Sequence, residues 1–89
     1  MKAVVTVIGK DNVGIIASIS QECAKHGVNI VDITQSVLRV YFAMIMLVEI
    51  ENMNATLKDF QLALDTVGKE KGLDIRVMHE DIFNSMHRI

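Results

Sequence analysis

The chain of 89 residues carries nine basic and eleven acidic side chains, and 51% of its residues are apolar. This length holds one small domain, and a net charge of −2 gives no strong attraction to nucleic acid or to an anionic membrane. The longest apolar run has nine residues, whereas a membrane-spanning helix needs about 20. One cysteine excludes an internal disulfide, and no signal-peptide pattern is present. We therefore expect one cytoplasmic domain over residues 1–89, whose apolar content favours packing against a second copy.

The first strand and the first helix are predicted on either side of a polar loop that contains two glycines. Residues 2–8 form a short, β-branched and apolar segment, which is typical of a strand that is covered on both faces or lies in mid-sheet. The helix follows over residues 13–27, where Asp11 or Asn12 can cap its start and Gly27 can end it. Its apolar positions recur every three or four residues and predict the buried side: Ile15, Ile16, Ile19 and Cys23.

Two further strands are predicted over residues 28–38 and 41–50. In the first of them the apolar residues change from one face of the strand to the other after Ile30, which indicates a twist or a bulge near Asp32. The second is continuously apolar, which places it inside the sheet. The turn between them, at Arg39 and Val40, lacks the glycine, asparagine and proline that define turn types, so no type is predicted.

The second helix is predicted over residues 54–72. Asn54 or Thr56 can cap it, Thr56 and Asp59 have capping-box spacing, and Gly72 suits its end. Its buried positions are predicted to be Leu57, Phe60, Leu64 and Val67.

The last two elements are a strand over residues 73–80 and a short helix over residues 81–89. The strand alternates between apolar and polar residues, as a half-buried strand does. The short helix is expected to pack down through Ile82, Met86 and Ile89, which recur at helical spacing.

The order strand, helix, strand, strand, helix, strand predicts an α+β fold of the ferredoxin-like βαββαβ type. Its antiparallel four-stranded sheet has the order 4-1-3-2, with two helices on one face and the short C-terminal helix added. The second strand then lies at an edge, where Ile33, Val37 and Leu38 favour pairing with another chain. A homodimer is the expected result.

Several kinds of catalytic and cofactor site do not fit the residues. Gly9 and Gly14 have phosphate-loop spacing, but Ile15 follows where that loop needs Lys and then Ser or Thr. The three histidines are scattered, and no Cys-x-x-Cys pair exists, so no metal site is expected. Cys23 falls on the buried side of the first helix, which favours a core role over nucleophilic catalysis. We expect no enzyme activity and no cofactor.

The loop before the first helix is suited to a small zwitterion. Free backbone N–H groups at a helix start attract a carboxylate, Gly14 lets a ligand approach, and Asp11 offers acceptors for an ammonium group. Asn29, at the start of the second strand, can donate and accept hydrogen bonds. Helix capping by Asp11 and Asn12, and close helix packing at Gly14, explain these residues equally well.

The stretch "VTVIGKDNVGIIASISQECAKHGVNIVDITQ" resembles the first half of an ACT domain, and the whole chain resembles the stand-alone single-domain ACT proteins of prokaryotes. It is also similar to the half-units of glycine-cleavage-repressor-type proteins. The resemblance implies a regulatory module that binds an amino acid between two subunits and acts on a separate protein partner. By that resemblance the ligand would lie between one chain and the second strand of the other, contacting Asp11, Asn12, Val13, Gly14, Asn29 and Ile30.

A second interpretation remains open at this point. Many family members have Asn where this chain has Asp11, and Pro where it has Val13. A module that keeps the dimer but binds no ligand, acting only in protein interaction, is consistent with the same residues.

Overall fold

The structure, a computed structural model, describes residues 1–86 and contains four strands and three helices in that range. The elements are β1 (Lys2–Lys10), α1 (Ile15–Lys25), β2 (Asn29–Leu38), β3 (Tyr41–Glu49), α2 (Leu57–Lys71), β4 (Leu73–His79) and α3 (Glu80–Met86). None of these helices is long and apolar enough to cross a bilayer. His87 and Ile89 lie outside the described residues.

The four strands form one antiparallel sheet in the order β2-β3-β1-β4, which confirms the predicted ferredoxin-like topology. β1 and β3 pair along their whole length, from Lys2 opposite Glu49 to Lys10 opposite Tyr41. The apolar third strand is interior, and β2 and β4 form the two edges.

β2 contains the predicted bulge. Its pairing with β3 shifts between Ile30 and Asp32, so Val31 is the extra residue. After the shift, Gln35 lies opposite Met44 and Val37 lies opposite Phe42. Directly opposite residues share a face of the sheet, and therefore Gln35 and Val37 lie on the face that carries the core.

The core lies between α1, α2 and one face of the sheet. Alternate residues of β3 point into it, starting with Phe42, while Tyr41 and Ile45 on the other parity are exposed. The larger side chains that are fully buried are Phe60, Ile19, Met44, Met46, Leu64, Val5, Val7, Val48 and Cys23.

The prediction for α2 is confirmed. Thr56 is the cap residue, and its Oγ1 accepts a hydrogen bond from the Asp59 backbone N–H at 3.1 Å. Gly72 ends the helix in the left-handed conformation, at a φ of 68°. The predicted inward positions are buried, except that Leu57 is only partly covered.

Two predictions for α1 are wrong. Among residues 1–86 no side chain caps this helix: its cap position is Gly14, at a φ of 85°, and the Asn12 side chain bonds elsewhere. Ile16 remains 37% exposed, whereas Ile15, Ile19 and Cys23 are buried. Ile15, Ile19 and Cys23 follow one another at intervals of four residues and form the inward side, whereas Ile16 lies about 100° around the helix from Ile15 and is turned away from the core.

The prediction for the terminal helix is right about its presence and wrong about its contacts. Ile82 and Met86 are 55% and 64% exposed, and Phe83 faces a small apolar pocket with Ile8 and Ile45, on the sheet face opposite α1 and α2. A helix of about two turns has room for few inward side chains, and an aromatic ring covers more apolar area than its neighbours do.

Cys23 is 1% exposed on the inward side of α1, which confirms its predicted core position. Burial, followed by the nearby Glu22 carboxylate, raises the pKa of the Cys23 thiol from 9.0 to about 11. The thiolate that reacts with disulfide reagents is therefore scarce in the folded chain at neutral pH.

We expect the Cys23 thiol to lower stability as the pH rises from about 9 to about 11. In that range the unfolded chain loses the thiol proton and the folded chain keeps it. The resulting loss in the free energy of unfolding is at most roughly 2–3 kcal/mol. Urea unfolding at both ends of the range, for the natural chain and for Cys23→Ala, isolates this contribution because every other group titrates in both proteins. An identical pH dependence of the two proteins would contradict the raised pKa.

Candidate functional site

The loop between β1 and α1, residues 11–14, is held by hydrogen bonds at both ends. The Asp11 backbone N–H donates to the Val40 carbonyl at 2.7 Å, which ties the loop to the β2–β3 turn. Asn12 Nδ2 donates to the Lys10 carbonyl at 3.1 Å and to the Lys71 carbonyl at 3.2 Å. Lys71 Nζ donates to the Val13 carbonyl at 3.1 Å. The loop is therefore fastened both to the turn and to the end of α2.

The start of α1 presents backbone donors. Gly14 has left-handed φ and ψ angles of 85° and 12°, and the first helical bond runs from the Ser18 N–H to the Gly14 carbonyl at 3.0 Å. Helix geometry leaves the N–H groups of Ile15, Ile16 and Ala17 without an intrahelical acceptor. With no side-chain cap from residues 1–86, these donors and the positive end of the helix dipole are available to an anion.

A pocket of about 300 Å³ opens at this helix start. Its lining combines the loop, the first turn of α1, the end of β2 and the start of β3: Asp11, Asn12, Gly14, Ile15, Ile16, Ala17, Gln35, Val37 and Phe42. It brings together a carboxylate, two side-chain amides, backbone N–H groups and an apolar wall. This combination can bind a carboxylate at the helix start, an ammonium group at Asp11 and an apolar side chain against Val37 and Phe42.

The structure brings only some of the predicted site residues together. Asp11, Asn12 and Gly14 line the pocket, while the Val13 side chain is 94% exposed outside the lining. Asn29 and Ile30 pair with Glu49 and Val48, at the other end of β2 from the pocket. Within one chain they do not meet the loop. Their expected place opposite the loop of a second chain stays a prediction.

The sequence analysis did not predict the other residues that line the pocket, which are Ile15, Ile16, Ala17, Gln35, Val37 and Phe42. The face of Gln35 and Val37 could have been predicted from the sequence. Successive residues of a strand alternate between its two faces, and alternation counted from the irregularity near Asp32 places both residues on the core face. No sequence signal showed that α1 leaves this end of β2 uncovered. In the described part of the chain, His, Cys, Asp and Glu form no cluster of three that could hold a metal ion.

The ACT domain family model matches residues 2–78 of this sequence. The chain belongs to the ACT domain family. The match covers the strands as far as Met78, the two long helices, and the loop of residues 11–14, which is called the opening loop below. It ends just before α3.

Comparisons with similar proteins support the assignment to this family. A protein of Methanosarcina acetivorans named UPF0237 protein is 49% identical over 86 residues, which are 97% of this chain and 94% of that protein. An ACT domain protein from Streptococcus pneumoniae is 35% identical, with a TM-score of 0.79 and 93% of each chain covered. A protein assigned as a glycine cleavage system transcriptional repressor shares the fold at 20% identity and a TM-score of 0.72. The match covers 86% of this chain and 44% of that chain, in line with the expected similarity to a half-unit.

Proposed function

We propose that this ACT domain is a non-catalytic regulatory module. In this proposal it binds a small ligand, an amino acid, at the interface of a homodimer and acts on a separate protein partner. ACT domains are regulatory, ligand-binding modules, and this chain has their fold and their loop-to-helix arrangement. The proposed ligand residues are Asp11, Asn12, Val13 and Gly14 of one chain with Asn29 and Ile30 of the other.

The observation that carries this proposal is the start of α1. A helix start that already had a side-chain cap would have less to offer an anion, and here the cap position is a glycine beside a pocket. Capping by Asp11 or Asn12, the alternative that the sequence left open, is absent among residues 1–86. The Asp11 carboxylate is therefore available for a ligand ammonium group.

The proposed dimer is supported by apolar surface around the pocket. The exposed apolar side chains at this end of the molecule are Val13, Val37, Leu38, Val40 and Tyr41. A second copy that paired along β2 would cover part of this surface and would close the open side of the pocket.

The mechanism that follows from this proposal involves no covalent step. A ligand held between two chains favours the arrangement of the two chains in which both halves of the site touch it. The effect on a partner protein is then limited by the difference in ligand affinity between the two arrangements.

The same apolar surface supports a second candidate, a dimerisation module that binds no ligand. The two functions differ in a thermal-shift screen of all amino acids. At a concentration of 100 times its Kd, a ligand stabilises the folded chain by about 2.7 kcal/mol, which raises the Tm of a domain of this size by about 10 °C or more. A Tm that no amino acid raises, with a dimer still present, supports the second candidate.

Asp11→Ala is the sharpest single test of the proposed site. We expect the affinity for the ligand found in the screen to fall by roughly 10- to 100-fold, because a charged hydrogen bond is worth about 1.5–3 kcal/mol. We expect stability to change by less than about 0.5 kcal/mol, since Asp11 does not cap α1. Calorimetric titration and urea unfolding on the same variant measure the two quantities.

Asp59→Ala is a matched control, because it removes an exposed aspartate from the first turn of α2, away from the pocket. It should lower stability by about 0.3–1 kcal/mol through the helix dipole and leave the affinity unchanged. An Asp11→Ala variant with unchanged affinity would remove Asp11 from the site.

A further inference from the structure

An open sheet has two edges, and each presents backbone N–H and C=O groups that can pair with a strand of another chain. In this ACT domain the edges are β2 and β4. The two edges differ in what covers them.

The β4 edge is covered by a side chain of α2. Gln61 Oε1 accepts a hydrogen bond from the Val77 backbone N–H at 2.7 Å, and Gln61 Nε2 donates to the Ile75 carbonyl at 3.0 Å. One side-chain amide thus makes the pair of bonds that a peptide group of a neighbouring strand would make. The Gln61 amide also donates to Asp65 Oδ1 at 2.7 Å, so its oxygen and nitrogen are both held in place.

The same helix covers the start of β4 with its backbone. A Cβ atom added at Gly68 would lie 2.6 Å from the Leu73 carbonyl oxygen, a distance too short for any side chain. The absence of a side chain lets α2 lie directly against this carbonyl. At the other end the strand stops at His79, where α3 begins. At the β4 edge, α2 therefore occupies the Ile75 carbonyl and the Val77 N–H through Gln61 and lies against the Leu73 carbonyl.

The β2 edge is longer and more open. The strand has ten residues, and residues 31–38 are exposed. Near its bulge the Asp32 Oδ1 atom accepts a hydrogen bond from the Ile33 backbone N–H at 2.9 Å, which occupies one edge donor. The rest of the strand, residues 34–38, runs beside the pocket and ends in exposed apolar side chains.

We propose that Gln61 closes the β4 edge by acting in place of a neighbouring strand, so that a second copy of this chain can add only at β2. Because β2 and β4 run in opposite directions, an open β4 edge could pair with the β2 edge of a translated copy. Such a head-to-tail contact does not close on itself and would build an open chain of copies. This inference rests on the association through β2 that is part of the proposed function.

The test compares the natural chain with Gln61→Ala and with Gln61→Met, which keeps the length of the side chain and removes its polar atoms. Gln21→Ala, at an exposed glutamine on α1, is the control. Hydrogen exchange of the Val77 amide, followed by NMR, reports on the edge itself. Sedimentation velocity over a range of protein concentrations reports on association.

We expect the Val77 amide to exchange about 10- to 100-fold faster in both Gln61 variants, since its N–H loses the Gln61 Oε1 acceptor. We also expect both Gln61 variants to form species larger than those of the natural chain, and the size of these species should increase with protein concentration. Gln21→Ala should show neither change.

Unchanged Val77 exchange overturns the role of Gln61 at the edge. Faster exchange without larger species overturns its role in directing association. A monomeric natural chain contradicts the proposed dimer instead, and the Val77 measurement remains valid in either state.

Discussion

Gly14→Val should abolish ligand binding and lower the free energy of unfolding by about 1–3 kcal/mol. Gly14 has a φ of 85°, a region that β-branched residues rarely occupy. Space is not the obstacle, because the nearest atom to a Cβ built at Gly14 is Lys71 Nζ at 3.5 Å. The branched side chain would stand at the mouth of the pocket, beside the N–H groups at the start of α1. Calorimetric titration measures the binding, and urea unfolding measures the stability.

Gly72 provides a matched control for this variant. It has a similar φ of 68°, ends α2 outside the pocket lining, and no described atom lies within 4 Å of a Cβ built there. Gly72→Val should therefore cost similar stability and lower the affinity much less than Gly14→Val, because it acts on the loop through the neighbouring Lys71 and places no side chain in the pocket. Gly14→Asn, whose side chain tolerates the left-handed region, should recover most of the stability. If Gly14→Val binds the ligand with the affinity of the natural chain, the pocket is not the binding site.

The largest expected loss of stability comes from Phe60→Ala, at about 3–5 kcal/mol. Phe60 is fully buried on the inward side of α2, and its ring lies 5.6 Å from the His26 ring at the end of α1, at an angle of 55°. Its removal leaves a cavity where the two helices and the sheet meet, and neighbouring side chains fill such a cavity only in part. Urea unfolding measures the loss, and a domain this small can lose its fold altogether.

Leu62→Ala is the control on the same helix, since Leu62 is 54% exposed. It should change stability by no more than about 0.5 kcal/mol. Similar losses in the two variants would contradict the inward side assigned to α2. A Phe60→Ala chain that remains folded should also bind more weakly, because α2 holds the opening loop through Lys71.

The sequence predicted the fold because its patterns are strong and local. The bounds and the inward side of α2 follow from its apolar periodicity and from its capping residues, with Thr56 before the helix and Gly72 after it. The change in the apolar face of β2 after Ile30 indicated the irregularity that the structure shows as a bulge at Val31. The start of α1 was mispredicted because Asn12 bonds to the Lys71 carbonyl, 59 positions away, and a contact of that kind leaves no local pattern.

Other features of the fold left little or no signal in the sequence. In α3 the spacing of Ile82 and Met86 suggested an inward side, but the sheet accommodates the ring of Phe83. The type of the turn before β3 could not be predicted because Arg39 has a φ of 59°. Glycine or asparagine usually occupies this left-handed region, and neither is present in the turn. The sequence gives no signal for the role of Gln61, because its hydrogen bonds to β4 form only when that strand packs beside α2.

The attachment of the opening loop has a consequence for the kinetics of recognition. Bonds to Val40 and Lys71 fix the loop backbone before any ligand arrives, so little conformational entropy has to be lost on binding. A preorganised site of this kind binds without a slow rearrangement of its own chain. The first phase of association with the proposed ligand should then have an observed rate that rises in proportion to ligand concentration, and the change in the arrangement of the two chains should follow it. Differences in affinity among amino acids should arise mainly from their dissociation rates.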